Sequence, residues 1–90
     1  MPERTVSVSN RLGLHARAAA RLVQLASNFR CQVQLRRVDN NQPADGKSIL
    51  GVLLLAAAFG TEIVVTTSGE GEDEALDAVC QLIEGKFGES

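Results

Sequence analysis

The chain has 90 residues, 44% of them hydrophobic, with 9 basic against 11 acidic side chains and a formal charge of −2. That length holds one domain, residues 1–90, with a real core. The balanced charge excludes a general nucleic-acid binder, and three phenylalanines without Tyr or Trp exclude a base-stacking platform.

The first segment, Thr5-Val6-Ser7-Val8-Ser9, alternates strictly, and Val6 and Val8 share one face of a half-buried strand. No apolar leader precedes it, so the expected location is the cytoplasm. Asn10 to Leu14, with Gly13, reads as a loop. From Ala16 the period becomes helical. Ala19, Leu22, Val23, Ala26 and Phe29 form the inward stripe, and Arg17, Arg21, Gln24 and Asn28 face water. Cys31, Val33 and Leu35 alternate with Gln32, Gln34 and Arg36 in a second strand. Asp39 to Pro43 is turn chemistry, with a short third strand beside it.

Ser48 opens a short apolar helix from Ile49 to about Ala57, ended by Gly60. The apolar run Ile49 to Phe59 is far too short to span a bilayer. Thr61 to Thr67 is rich in β-branched residues and predicts the clearest strand. The last segment starts with an acidic first turn, Glu72-Asp73-Glu74, which suits the positive end of a helix dipole. Its inward residues are Ala75, Leu76, Val79, Cys80 and Ile83. The order β-α-β-β-α-β-α implies an α+β domain, with helices covering one face of a mainly antiparallel sheet. Cys31 and Cys80 fall on apolar faces and are expected to be reduced core thiols.

His15, the only histidine, stands just before the first helix in the run Gly13-Leu14-His15-Ala16-Arg17. The backbone N–H groups of Ala16, Arg17 and Ala18 lack intrahelical acceptors there, and the helix dipole adds to them. Arg17 supplies a forked cation suited to phosphate oxygens. A neutral imidazole is a competent nucleophile, and positive surroundings disfavour its protonation. No carboxylate adjoins His15 in sequence to serve as a base. Taken alone, such a histidine more often has a structural role. His15 with Cys31 and Cys80 has unsuitable spacing for zinc, so no metal and no cofactor is expected.

Asp45-Gly46-Lys47-Ser48 ends like a P-loop, but Asn41 stands where that motif needs glycine, which argues against nucleotide binding. Ser48 reads as a helix cap first. An exposed serine at a helix start is also a good place for a phosphate. Ile49, Leu50, Leu53 and Leu54 exceed what one buried face requires. They belong either to a partner surface or to a fully buried short helix.

At these residues the sequence resembles the histidine-containing phosphocarrier family, HPr, of the bacterial phosphoenolpyruvate-dependent phosphotransferase system. The likeness runs through Gly13 to Arg17, Leu22 to Ser27, Gly46 to Val52 and Gly69 to Leu76. It implies an open-faced sandwich: a four-stranded antiparallel sheet covered on one face by three helices. It also implies a stoichiometric carrier, not an autonomous enzyme, with phosphate on Nδ1 of His15, assisted by Arg17. Enzyme I would be the donor and an enzyme II A-type domain or regulatory equivalent the acceptor. Ser48 matches the position modified by HPr kinase/phosphorylase. Ile49, Leu50, Leu53 and Leu54, with Arg21 and Gln24, would contact partners. A monomer without membrane insertion or nucleic-acid binding is expected. Two other readings are a regulatory module switched at Ser48 and a small-molecule domain with a defined apolar pocket. Most family members have proline after the motif arginine, whereas this chain has Ala18. That resembles a proteobacterial subgroup including nitrogen-related members.

Overall fold

The computed structural model describes residues 1–89. In chain order it contains β1 (Glu3–Ser7), α1 (Ala16–Ser27), β2 (Gln32–Arg37), β3 (Pro43–Asp45), α2 (Ile49–Leu54), β4 (Glu62–Ser68) and α3 (Glu72–Glu84), followed by a 3-10 turn at Lys86–Gly88. The four strands form one antiparallel sheet in the order β1-β4-β2-β3. The β-branched run therefore supplies an inner strand, β4, paired on both sides. Val6 of β1, Ile63, Val65 and Thr67 of β4, Val33 and Leu35 of β2 and Ala44 of β3 are all buried. These positions alternate along their strands and so share the inner face. Val64, also buried, belongs to the opposite face, where Thr5 and Arg36 flank it in register.

All five inward residues expected for α3 are buried, as are Ala19, Leu22 and Ala26 of α1. Val23 and Phe29 are half-buried, and Ala18 joins the core instead. Cys31 and Cys80 are buried, unpaired thiols. Burial pushes the Cys80 thiol up, against the lowering effect of nearby Arg4.

Three boundaries differ from expectation. β1 is displaced toward the N-terminus and ends at Ser7. Val8 leaves the ladder but stays buried, fixed by Val8 N to Thr61 O at 2.9 Å and Gly60 N to Val8 O at 2.7 Å. α2 stops at Leu54, well short of Ala57. Arg37 Nη1 donates to Leu55 O at 2.8 Å and Leu14 N to Ala57 O at 2.9 Å. The helix end tightens instead, with Leu55 N to Val52 O at 3.2 Å and Ala56 N to Leu53 O at 3.0 Å, and Ala56 turns to φ 51, which leaves the carbonyls beyond it to side chain and loop. Gly60 closes the turn back onto β1 and does not cap the helix.

The third difference is the chain after α3, which the sequence patterns leave unassigned. Lys86 (φ 60) and Phe87 (φ 56) are both left-handed, at a cost of about 1–2 kcal/mol each. Phe87 is fully buried, which returns about 3 kcal/mol, and Arg21 Nη1 donates to its carbonyl. This turn carries Glu89 back toward the start of α1.

Candidate functional site

His15 is the N-cap residue of α1, with extended backbone (φ −76, ψ 178) and no side-chain cap bond. The first helical hydrogen bond is Ala19 N to His15 O at 2.8 Å. The N–H groups of Ala16, Arg17 and Ala18 therefore precede the ladder and lie beside the ring's own residue. Gly13 makes this approach to the helix feasible. Its φ is +67, and a Cβ there would sit 2.5 Å from Ala57 O. Leu14 N, bonded to that same carbonyl, ties the histidine loop to the segment after α2.

The fold also brings in a carboxylate that lies 74 residues away in sequence. Glu89 Oε1 and Oε2 stand 2.8 and 3.0 Å from His15 Nε2. Asn10 Nδ2 donates to the same Oε1 at 2.9 Å and to Gly13 O at 2.8 Å. The Asn10 amide, then the His15 ring, with the charge of Arg17 adding, hold the Glu89 carboxyl below the usual glutamate range. An ionised carboxylate only accepts, so His15 Nε2 carries the hydrogen. The expectation of purely positive surroundings for His15 is thus corrected. Cationic and amide groups are present, but a carboxylate faces one edge of the ring.

Arg17 is exposed and makes no hydrogen bond or ion pair among the described residues. With Arg11, Leu12 and Glu89 it lines a shallow depression. Sequence reasoning missed Asn10, Arg11 and Glu89. Asn10 carried no signal beyond loop composition, and Glu89 lies beyond the last periodic helix.

Ser48 caps α2, with Gly51 N donating to its Oγ at 3.1 Å. On α2 only Val52 is buried, while Ile49 (48%), Leu50 (67%), Leu53 (36%) and Leu54 (65%) are exposed. The fully buried short helix is therefore excluded. Leu12 and Phe59 are exposed as well, and neither was expected. Gln24 faces solvent as expected. Arg21 is exposed too, but its guanidinium is tied to Phe87 O and braces the C-terminal turn. A second open depression is lined by Arg30, Gln32, Gln34, Asp45 and Lys47, together with Cys31 and Val33.

The family model described as the PTS HPr component phosphorylation site matches residues 2–85. The phosphocarrier protein HPr of Cupriavidus necator is 48% identical over 89 residues, covering 99% of this chain and 98% of that protein. The phosphocarrier protein NPr of Shewanella violacea is 42% identical over 88 residues, covering 98% of this chain and 94% of that protein. A crystal structure of HPr-C-His from Thermoanaerobacter tengcongensis matches with a TM-score of 0.93 and 40% identity, over 100% of this chain and 99% of that one. Sequence and fold agree, and the chain belongs to the HPr family of phosphocarrier proteins of the phosphotransferase system.

Proposed function

We propose that this protein relays a phosphoryl group through Nδ1 of His15, taking it from enzyme I and passing it to an enzyme II A-type domain or a regulatory equivalent. One observation carries the reading: Glu89 holds Nε2 at 2.8 and 3.0 Å, so Nδ1 is the ring nitrogen left with a lone pair. That lone pair attacks phosphorus while the bond from phosphorus to the donor atom breaks. Positive charge developing on the ring is met by Glu89. Negative charge on the phosphoryl oxygens is met by Arg17 and the N–H groups of Ala16, Arg17 and Ala18. Delivery reverses these steps.

The single described carboxylate on the ring is bonded to Nε2 and not poised to activate water, which suits a carrier better than a hydrolase. Ile49, Leu50, Leu53 and Leu54, with Arg21 and Gln24 of α1, form the docking surface for both partners in turn. No helix among the described residues is long and apolar enough to cross a membrane. A monomer suits sequential docking.

Regulation at Ser48 is an added layer. A phosphate there would place charge beside exposed Ile49 and Leu50 and hinder docking. The small-molecule reading has less support, since the two depressions described above are open and lined largely by polar side chains. Incubation with phosphoenolpyruvate and enzyme I tests the relay. Acid-labile phosphate is expected on the native chain and none on His15→Ala, whose circular dichroism stays native. Comparable phosphate on the variant refutes the assignment, and a regulator acting only through Ser48 acquires none at all.

A further inference from the structure

Asn10 is fully buried, and its two amide hydrogens have two acceptors, Gly13 O at 2.8 Å and Glu89 Oε1 at 2.9 Å. Its own Oδ1 is buried and has no partner among the described residues. Because both neighbours of Nδ2 are acceptors, the amide can face them only with its nitrogen, and the oxygen is turned toward nothing. An unpaired buried oxygen calls for a reason. Closing the Gly13 turn supplies only half of one. Gly13 N already donates back to Asn10 O at 3.2 Å, and that closure uses a single side-chain hydrogen. The other hydrogen reaches the same Oε1 that stands 2.8 Å from His15 Nε2.

We propose that Asn10 is a positioning residue for phosphoryl transfer, aiming the Glu89 carboxylate so that His15 keeps its hydrogen on Nε2 and its lone pair on Nδ1. The inference rests on the reading that Nδ1 receives the phosphoryl group. Glu89 needs such a guide, because Arg11 and Arg17 line the same depression. Without the Asn10 amide the carboxylate is free to turn toward a guanidinium and release Nε2. The ring then samples the tautomer with hydrogen on Nδ1, which has no lone pair to offer.

The test is two-bond 15N–1H correlation on the unphosphorylated full chain, at a pH about two units above the ordinary histidine value. Native protein, Asn10→Ser, Glu89→Ala and the double variant are compared, with thermal unfolding on the same samples. Each single variant is expected to raise the Nδ1–H fraction about threefold and to slow phosphate uptake from phosphorylated enzyme I by roughly tenfold. The double variant is expected to be no worse than Glu89→Ala, because both changes cut one chain of contacts. In Glu89→Ala the Asn10 side-chain amide signals should also move, a readout that stands even if Asn10→Ser does not fold.

An unchanged tautomer ratio in folded Asn10→Ser, additive losses in the double variant, or stationary Asn10 amide signals in Glu89→Ala overturns the proposal. So does a transfer loss that only tracks the folded fraction. The tautomer is read without any phosphoryl transfer, so its failure is distinct from failure of the relay, which would show as phosphate elsewhere than on His15.

Discussion

The start of α1 and the start of α2 are both helix N-termini in loops after a strand, yet they are built in opposite ways. Ser48 caps its own helix, with Gly51 N three residues away as the donor. His15 makes no such cap, so the first N–H groups of α1 stay open, and its ring is held instead by Glu89, 74 residues distant. The self-satisfied end carries exposed apolar side chains. The unsatisfied end carries charge and free donors. A helix start capped by its own side chain is a poorer place for chemistry and a sound base for contact, and the reverse holds at His15.

Substitutions can break that contrast. Removing the cation from the open end should have the largest effect: Arg17→Ala is expected to lower transfer by about 10²-fold, with stability changed by less than about 0.5 kcal/mol. Equal losses of rate and stability, measured by stopped transfer assays and urea titration, would make Arg17 structural. Gly13→Ala acts on the loop that presents the ring. With φ +67 and a Cβ 2.5 Å from Ala57 O, it should cost about 3 kcal/mol in urea unfolding. A cost under about 0.5 kcal/mol would mean that the loop relaxes freely.

At the closed end, Ser48→Ala removes a cap and should destabilise by about 1 kcal/mol while leaving transfer from enzyme I unchanged. A large drop in transfer would place Ser48 inside the site. The smallest effect concerns acid. The Glu89 carboxyl is lowered from its ordinary value of 4.5, so its contribution is fully present above that value and is lost as pH falls through the lowered one. An acid unfolding curve of Glu89→Gln should therefore approach that of the native chain at low pH. Curves that diverge further on acidification would contradict this sign.

The open and closed ends were not equally legible in the sequence. The place of His15 and Arg17 at a helix start, the Ser48 cap, the strand character of β4 and the inward faces of β2 and α3 follow from local periodicity, propensity and capping chemistry, which act over a few residues. Even the excess of apolar residues in α2 pointed to exposure as one of two outcomes. Glu89 and Asn10 could not be read, because their meeting depends on a turn in which Lys86 and Phe87 are left-handed as well as Gly88. Buried Phe87 drives that turn through tertiary packing, which has no local signature. The early end of α2 has the same origin, since Arg37 and Leu14 tie down the Leu55 and Ala57 carbonyls just beyond it.

The two buried thiols give this fold a built-in clock. Cys31 precedes β2 and Cys80 sits in α3, so an alkylating reagent reaches each only when its own part of the molecule opens. Equal labelling rates would mean that sheet and helix come apart together. Faster labelling of one would locate the first fracture, with no engineered probe required.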